Sequence, residues 1–284
     1  MNTDRYAAFE QATGGKLVKA GDMWWRQVRP LFYRPLLPFK KHDLKETMRG
    51  VHRIGAFQHG VLDGQSSNSY LNPIVFDELG TYDMKNLRKN VRSQVKKALQ
   101  SDISVRRIID EGELAEKGHS VYLSFLERTK YSFDSNRRQK EGFARWVHTI
   151  LQFPEAVVLG SFAGEEMLSF EISCLVEGAV ILKTIVNSDR ALKLYVPDLL
   201  LHHTRISARQ QSEIELIYDS MLTHSAGINE FKILRGGKVV ALPAFLHLNA
   251  ATVWLIKRSS KSAYDKLRGF GHDELVASGL AAAH

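Results

Sequence analysis

The sequence predicts an α+β fold of the α/β/α type, in which a mixed, largely antiparallel sheet is flanked by helices. Two observations predict it. Apolar residues recur at helical spacing up to residue 153, and from residue 156 their period changes from 3.6 to 2. The segments of period 2 are joined by short turns that contain glycine, a pattern typical of neighbouring antiparallel strands.

The helices ahead of the sheet begin with residues 85–100, "KNLRKNVRSQVKKALQ", which hold six basic residues and no acidic one. Their apolar positions share one helical face, and Arg88, Arg92 and Lys96 share another. The stretch is therefore predicted to be an amphipathic helix with a basic stripe. Two more helices are predicted over residues 113–129 and 141–153, the last ended by Pro154.

The strands follow in the order expected of a meander that continues into alternating helices and strands. Pro197 and Asp198 open a helix, because proline suits the first helical turn. A short helix is predicted near residue 230. The predicted strands are 156–162, 166–177, 179–186, 214–221 and 239–248. The first 80 residues are predicted to be irregular, with short extended pieces over 51–76.

Composition limits the protein class. The 284 residues are 44% hydrophobic and 25% charged, with a net charge of +8, which favours anionic partners. The single cysteine, Cys174, excludes a disulfide framework and a thiolate zinc site, and we expect it to be a small core residue. No apolar run approaches the roughly 18 residues that span a bilayer. With no secretory signal expected, the predicted location is the cytoplasm.

Several segments carry a family resemblance: "ISVRRI" after the basic helix, "GSFAGEEMLSFEIS" in the meander, "YVPDLLLHHTRIS" in the following helix, and "INEFKILRGG" after "YDS". With the order of elements, they resemble the GNAT acyltransferase fold. The similarity is to the branch that holds Fem-type peptidoglycan aminoacyl-transferases and BioF2-like acetyltransferase domains, and it covers residues 85–248. It implies three segments: an N-terminal extension or partial GNAT-like subdomain (1–84), an acyltransferase domain (85–256) and a polar helical tail (257–284).

One departure from the GNAT pattern leaves the acyl donor open. The usual pyrophosphate signature, a basic residue or glutamine followed by spaced glycines, is absent, and "NSDRALKLYVPDL" stands in its place. Fem-type proteins also lack a clean glycine signature, so the absence fits that branch. The donor is therefore expected to be an acyl-CoA such as acetyl-CoA, or an aminoacyl-tRNA.

The donor's phosphates are predicted to bind where this helix begins, because backbone N–H groups and the helix dipole favour an anion there. Two features oppose this: Pro197 offers no N–H, and Asp198 is itself an anion. The alternative is an ordinary junction between a loop and a helix. The predicted donor-binding residues are Arg190, Lys193, Tyr195, Val196 and Asp198.

The chemical step needs a base for the acceptor's proton, and Glu171 is one candidate. It lies on the polar face of a predicted strand, and that face meets water or lines a cleft. Asp219 and Tyr218 at the end of the next predicted strand are the rivals. The resemblance implies that a tyrosine here donates a proton to the leaving thiolate, whereas the alternative is that Tyr218 packs in the core.

Lys232 is the cation that the resemblance selects. The Phe231–Lys232 pair, followed by Gly236 and Gly237, implies a lysine near the donor end of the cleft, where it stabilises phosphate or the oxyanion. The alternative is a surface lysine on a short helix. No metal is expected, because His202 and His203 lie within a helix without metal-ligand spacing.

The basic stripe has two interpretations. Arg88, Arg92 and Lys96 bind substrate phosphate on CoA, a lipid-linked sugar or tRNA, or they form a solvated face. Specific DNA binding is not expected, because neither a helix-turn-helix nor a zinc motif accompanies the stripe.

Residues 23–41, "MWWRQVRPLFYRPLLPFKK", mix aromatic and basic side chains. This mixture suits peripheral contact with a membrane interface; alternatively, the aromatic rings pack against the rest of the protein.

The sequence thus predicts an N- or O-acyltransferase that moves an acetyl or aminoacyl group to an amine or hydroxyl on a cell-envelope or exopolysaccharide precursor. The acceptor attacks the donor directly in a ternary complex. The alternative is a non-catalytic GNAT-like module that binds RNA or an anionic surface. The oligomeric state is left open.

Overall fold

The computed structural model describes residues 1–51, 56–129, 134–223, 225–248, 258 and 261–280. The helices are α1 (Thr3–Ala12), α2 (Leu44–Val51), α3 (Lys89–Gln100), α4 (Glu111–Thr129), α5 (Lys140–Leu151), α6 (Asp189–Lys193), α7 (Val196–Arg209), α8 (Ala226–Leu234), α9 (Lys261–Arg268) and α10 (His272–Ala277). The strands up to the basic helix are β1 (Leu17–Ala20), β2 (Met23–Arg29), β3 (Phe32–Pro35), β4 (Lys41–His42), β5 (Ala56–Val61), β6 (Ser69–Leu71) and β7 (Pro73–Phe76). The later strands are β8 (Ser104–Arg107), β9 (Ala156–Ala163), β10 (Glu166–Val176), β11 (Ala179–Asn187), β12 (Leu216–Met221), β13 (Lys238–Val239) and β14 (Leu242–His247).

The chain forms two compact units. Unit 1 comprises residues 1–2, 76–219 and 234–236, and unit 2 comprises residues 3–75, 220–233 and 237–284. The units alternate along the chain. The three-segment division predicted from the sequence stays a prediction.

Unit 1 is built on the predicted meander. Strands β8, β9, β10 and β11 pair in that order and are antiparallel, and β12 adds to β11 in parallel. Gly164 and Gly178 have positive φ angles of 58° and 80° in the tight turns on either side of β10. Since side chains disfavour this conformation, the glycines of the sequence fix these two turns.

Helices cover both faces of the unit 1 sheet because the side chains of β10 alternate. Phe170 packs against the rings of Phe143 and Trp146 on α5. On the other face, Leu168 packs with Val196 and Leu200 at the start of α7, because the register of β10 with β9 shifts between Met167 and Ser169 and breaks the alternation at Leu168. Cys174 is fully buried, as predicted for a core residue. The helix predicted over 141–153 is thus present as α5, and the helix predicted to open at Pro197 and Asp198 is present as α7.

The parallel pair β11–β12 is short. Its register covers Ala179–Ile181 against Leu216–Tyr218, although β11 continues to Asn187. Beyond Ile181 and Tyr218, the described residues of these two strands make no ladder with each other. The longer part of β11 thus pairs with β10 on one side and has no ladder with β12 on the other.

Unit 2 corrects the prediction that the first 80 residues are irregular. Strands β1, β2, β3, β5, β14 and β6 form a sheet in that order, and β4 pairs with β5. Pro30 lies in the turn between β2 and β3, and Pro35 ends β3, so neither proline interrupts a ladder. The prolines of residues 23–41 disfavour a regular helix but are compatible with a hairpin.

The aromatic residues of this hairpin pack within unit 2. Trp25 is fully buried and meets the ring of Phe57 edge-on, with 5.4 Å between ring centroids. This outcome agrees with the packing alternative for these rings, and peripheral membrane contact stays a prediction. Among the helices that the structure describes, none has the length and apolar character needed to cross a bilayer.

The carboxyl-terminal part of the chain is partly described. The predicted strand over 239–248 is two strands, β13 and β14, because Ala241 and its neighbour separate them. The predicted terminal helix is confirmed as α10, which caps its first turn with Glu274. Lys257, where the predicted tail begins, and residues 281–284 lie outside the described residues.

Candidate functional site

Glu171 lies in the middle of β10 on the face that α7 covers. Its side chain is fully buried, with Ser169 and Ser173 buried on the same face. The water-exposed alternative for this face is therefore wrong, because α7 packs over it. Glu171 pairs across the sheet with Ile185, in the part of β11 that lies beyond the ladder with β12. The predicted base therefore lies beside the part of β11 that has no ladder with β12.

The two carboxylate oxygens of Glu171 differ in their surroundings. Oε1 accepts a hydrogen bond of 2.7 Å from the hydroxyl of Thr204 on α7. Oε2 is buried and has no hydrogen-bond partner among the described residues. A buried carboxylate with one neutral donor is costly to keep ionised, because little replaces its lost hydration.

The pKa of Glu171 reflects these surroundings. It is raised from 4.5 to about 7: burial is the main cause, the negative charge of Asp219 adds to the rise, and the Thr204 hydrogen bond opposes it. A carboxyl with a pKa near 7 exchanges its proton at neutral pH, as a general base must. Perturbed acids of this kind concentrate at functional sites.

Tyr218 and Asp219, the rival candidates, lie at the point where β11 and β12 part. Tyr218 is the last β12 residue in the ladder, and Asp219 follows it. Both side chains are partly buried. Because the charge of Asp219 acts on Glu171, the structure brings the two carboxyls into one electrostatic site.

The predicted donor-binding residues lie at the junction of α6 and α7. Tyr195 has a left-handed backbone with φ of 57° and precedes the first residue of α7. Val196 is buried in an apolar cluster, and the Asp198 N–H donates to the Tyr195 carbonyl. Arg190, which binds Glu166, and Lys193 are exposed beside them. The donor role of this junction stays a prediction.

Asp198 takes part in a buried ion pair that the sequence did not reveal. Its Oδ1 accepts from Nε of Arg235 and lies 2.8 Å from Nη2, and both side chains are at least nine-tenths buried. Burial raises the pKa of Asp198, and the Arg235 guanidinium opposes that rise. The carboxylate thus anchors α7 to the chain segment that follows α8.

Arg205 extends this cluster along α7. Its Nη1 donates to the Arg235 carbonyl at 2.7 Å, and its guanidinium stacks 3.7 Å from the Tyr82 ring. Gly236 has φ of 89°, and a Cβ there would lie 3.3 Å from Arg205 Nη1. The glycine after Arg235 therefore gives room for the second buried guanidinium.

The basic stripe of α3 faces outward. Arg88 and Lys96 are exposed, and Arg92 is partly buried with its Nη1 bonded to the Lys85 carbonyl. Val91, Val95 and Ala98 face inward, and α3 packs against α7. The ammonium of Lys97 lies 5.7 Å from the Tyr195 ring centroid, which places the end of α3 beside the start of α7. The helix is confirmed, and its substrate role stays a prediction.

Lys232 belongs to unit 2. It lies on α8, is partly buried, and donates to the hydroxyl of Ser220 at 2.7 Å. Ser220 directly follows Asp219 in β12. The lysine is therefore held in place by a neighbouring side chain, and its catalytic role stays a prediction.

Thr204, Arg205 and Arg235 were missed by the sequence analysis. "HHTRIS" was used only as part of the family resemblance, and "LRGG" only as the end of a lysine motif. The available signal was the spacing of Leu200 and Thr204, which puts the hydroxyl one turn beyond a core residue on the sheet-facing side of α7. In the part of the chain that the structure describes, no three His, Cys, Asp or Glu side chains are arranged to hold a metal ion.

Comparison by sequence gives no relatives: no protein-family model matches the chain, and no curated protein matches it.

Comparison by structure gives clear similarities at low sequence identity. The C-terminal domain (DUF2156) of a putative lysylphosphatidylglycerol synthetase from Agrobacterium fabrum matches at 10% identity and TM-score 0.60, over 90% of each chain. FemX matches at 10% identity and TM-score 0.59, over 89% of this chain and 92% of that one. L-PGS from Bacillus licheniformis matches at 12% identity and TM-score 0.56, over 95% and 98%. The chain therefore shares its fold with FemX, with L-PGS and with the DUF2156 domain, as the Fem-type resemblance predicted.

Proposed function

We propose that the protein is an acyltransferase that moves an acetyl or aminoacyl group from a phosphate-bearing donor to an amine or hydroxyl. The observation that carries the proposal is Glu171, a fully buried carboxyl with a pKa of about 7 beside the part of β11 that has no ladder with β12. The proposed acceptor, a cell-envelope or exopolysaccharide precursor, follows from the family resemblance of the sequence, and the fold shared with FemX supports the Fem-type part of that resemblance.

Glu171 is the proposed general base. Because its carboxyl is fully buried, the acceptor's proton would reach it through the hydroxyl of Thr204, which is bonded to Oε1. The hydroxyl gives its own proton to Glu171 and takes the proton of the acceptor. The acceptor nitrogen or oxygen then attacks the acyl carbonyl, and the bond to the donor's sulfur or oxygen breaks. Tyr218 is the proposed acid for that leaving group.

The donor's phosphates are proposed to bind at the junction of α6 and α7 and along the stripe of α3. The Lys97–Tyr195 contact supports one continuous basic surface. Such a surface suits acyl-CoA and aminoacyl-tRNA alike, since both present phosphates. The proposed contacts are Arg190, Lys193 and Tyr195 at the junction, and Arg88, Arg92 and Lys96 on α3. Val196 and Asp198, which the sequence also selected, are buried, and we propose that they support the junction without touching the phosphates.

Lys232 is proposed to stabilise negative charge on the phosphate or on the carbonyl oxygen. Its bond to Ser220 supports this role, because a fixed cation stabilises developing charge without reorganisation. Asp219, next to Ser220, is proposed to set the pKa of Glu171 through its charge.

The test combines donor binding with donor consumption. Native mass spectrometry with acetyl-CoA, longer acyl-CoAs and aminoacyl-tRNA identifies the donor class. Loss of the acyl group from the bound donor is then followed with pooled amine and hydroxyl acceptors. We expect one donor class to bind and to be consumed by the wild type, with consumption lost in Glu171→Gln and kept in the exposed-site control Glu165→Gln. Absence of binding by every donor, or equal consumption by Glu171→Gln, would overturn the proposal.

A second function, a non-catalytic module that binds RNA or an anionic surface, is favoured by the exposure of Arg88 and Lys96. Replacement of Arg88, Arg92 and Lys96 by glutamate separates the two. A binding module loses RNA affinity with a steep dependence on salt, whereas an enzyme loses donor affinity with little change in nonspecific RNA binding.

A further inference from the structure

The hairpin of β2 and β3 in unit 2 has an apolar tip, residues 28–31, that the fold leaves exposed. Leu31, between the two strands, is 73% exposed, and Val28 near the end of β2 is 47% exposed. Pro30, between them, is exposed as well. Single apolar side chains are normal on a protein surface, whereas neighbouring ones form a patch. None of these residues has a role in the proposed transfer reaction.

The backbone of the tip is irregular at both of its most exposed apolar positions. Leu31 has φ of 59°, in the left-handed region that glycine adopts freely and other residues disfavour. The register of β2 with β3 shifts between Gln27 and Arg29, so Val28 lies in a bulge. Glycine would serve the turn better at residue 31. The exposed leucine is therefore better explained by a contact outside the chain than by the needs of the fold.

The tip is held in place from both sides. Behind it, Trp25 is fully buried. The Gln27 N–H donates to the Lys16 carbonyl at 2.9 Å, which joins the hairpin to the residue before β1. On the other side, the Ala56 N–H of β5 donates to the Leu31 carbonyl at 3.2 Å. A partner thus meets a preformed surface and does not have to order it.

Positive charge flanks the tip, and negative charge lies towards the far end of the β1–β2 ladder. The side chains of Lys16 and Arg29 are exposed, and within the described part of the chain neither makes an ion pair or a hydrogen bond. Asp4, by contrast, accepts from Lys19 and Trp24, which face each other towards the far end of that ladder. The tip therefore favours an anionic partner.

The small size of the patch decides which anionic partner it suits. A stable protein interface buries roughly 800 Å² on each partner, far more than these side chains offer. A lipid surface needs less, because a few apolar side chains enter the boundary of the acyl chains while basic side chains bind the head groups. The tip has both kinds of side chain.

We infer that residues 28–31 dock into a bilayer that contains anionic lipid. Val28 and Leu31 enter the boundary of the acyl chains, and Lys16 and Arg29 bind the head groups. This contact differs from one made by the aromatic rings of residues 23–41, because Trp25 packs inside unit 2. The inference does not depend on the proposed transfer reaction.

Vesicle co-sedimentation of the full-length protein tests the charge contact. The probes are anionic vesicles of phosphatidylethanolamine with phosphatidylglycerol, and neutral vesicles of phosphatidylcholine. We expect the wild type to bind the anionic vesicles about ten times more tightly, and less tightly as salt rises. Lys16→Gln with Arg29→Gln should weaken this binding about tenfold. Lys140→Gln with Arg145→Gln, an equal charge change on exposed residues of unit 1, should leave it unchanged.

The apolar contact is tested without a change of charge. In Val28→Thr with Leu31→Gly, glycine accepts the left-handed backbone and threonine keeps the branched shape, so the variant should fold. We expect its affinity for the anionic vesicles to fall about tenfold. The matched control is Ile109→Ser, which removes an apolar side chain that is 80% exposed in unit 1 and should bind as the wild type does.

A label at the tip separates this contact from one made by the basic stripe of α3. Because Cys174 is fully buried, a polarity-sensitive thiol-reactive fluorophore labels Leu31→Cys at the introduced cysteine. On anionic vesicles its emission should move to shorter wavelength, as the label leaves water. The same label on Ile109→Cys should not shift.

The inference is overturned if the wild type does not bind the anionic vesicles, or binds the neutral ones equally well. It is also overturned if Val28→Thr with Leu31→Gly binds as tightly as the wild type, or if the label at residue 31 stays in water while the protein is bound. Glu171→Gln should lose acyl transfer and keep vesicle binding, so failure of one proposal is distinguishable from failure of the other.

Discussion

Two buried carboxyls in unit 1, Glu171 on β10 and Asp198 on α7, differ in the partner that each is given. Asp198 meets the Arg235 guanidinium, a full positive charge at 2.8 Å. Glu171 meets the Thr204 hydroxyl, which carries none. An acid beside a buried cation serves as a structural ion pair, whereas an acid with only a neutral donor exchanges a proton near neutral pH. The partner, more than burial itself, separates the structural acid from the candidate base.

Removal of the Glu171 carboxylate should produce the largest effect. Glu171→Gln keeps the shape and can still accept from Thr204, but it cannot take a proton. We expect the rate of transfer to fall about 10²- to 10⁴-fold, the usual contribution of a general base. The wild-type rate should rise with pH to a plateau above about 7, and the variant should lose that inflection. Single-turnover rates across pH measure both, and Glu165→Gln should behave as the wild type does.

Loss of the Asp198 charge should mainly affect stability. Asp198→Asn leaves the Arg235 guanidinium buried without its counter-ion, next to the second guanidinium of Arg205. We expect the free energy of unfolding to fall by about 3–5 kcal/mol. Urea denaturation measures it. If Asp198→Asn were as stable as the wild type, the ion pair would not anchor α7.

Unlike Asp198→Asn, the Glu171→Gln variant should be more stable than the wild type, by an amount that depends on pH. The folded protein raises the pKa of Glu171 from 4.5 to about 7, so folding favours the protonated acid. Below pH 4.5 the Glu171 carboxyl does not lower the free energy of unfolding. The destabilisation grows between pH 4.5 and 7 and reaches its full size above pH 7. Glu171→Gln should therefore be more stable than the wild type by about 3 kcal/mol at pH 8 and equal to it at pH 4. Denaturation at the two pH values checks the difference, and a variant less stable at pH 8 would contradict it.

Thr204, the neutral partner of Glu171, should affect the pKa of the candidate base. Its hydrogen bond lowers the pKa of Glu171, so Thr204→Val, which has the same shape without the hydroxyl, should raise it. We expect the inflection of the rate profile to move up by about one to two pH units. Because the proton is proposed to pass through this hydroxyl, the plateau rate should fall as well. Thr204→Ser should restore both.

The smallest effect is expected on the surface. Replacement of Arg88, Arg92 and Lys96 by glutamate should raise the KM for a phosphate-bearing donor by about tenfold at low salt, with kcat unchanged. The matched control is Arg138→Glu, Lys140→Glu and Arg145→Glu, which makes the same charge change around the start of α5. An equal loss in both triple variants would show that net charge alone, and not the stripe, attracts the donor.

Much of unit 1 could be predicted because its signals are local. The helical spacing of α3 and α5, the alternation of β9–β11 and the glycine turns lie within short windows, and the structure confirms them. The extended pieces predicted over 51–76 correspond to β5, β6 and β7, but β1, β2 and β3 were not predicted, because prolines stand at the ends of β2 and β3. A strand tolerates proline at its end, where no ladder hydrogen bond is lost, but the position of a strand end is known only once the pairing of the strands is known.

The candidate site shows the same limit. The polar face of β10 made Glu171 a candidate, but its burial depends on α7, which lies some 30 residues along the chain. The Asp198–Arg235 pair joins residues that lie far apart in sequence, with no local pattern to connect them. The period of two in the sequence identifies a polar face on β10. Whether water or a helix covers that face depends on tertiary packing, which the local sequence does not show.

The proposed function depends most on whether the Glu171 carboxyl has a raised pKa in the unliganded protein. Infrared difference spectra across pH measure it directly, because a protonated carboxyl has its own C=O stretch. We predict one carboxyl that titrates near pH 7, absent in Glu171→Gln and present in both Asp198→Asn and Glu165→Gln. If no carboxyl titrates above about pH 5, or if the signal survives in Glu171→Gln, Glu171 is ionised like an ordinary acid and is not the base.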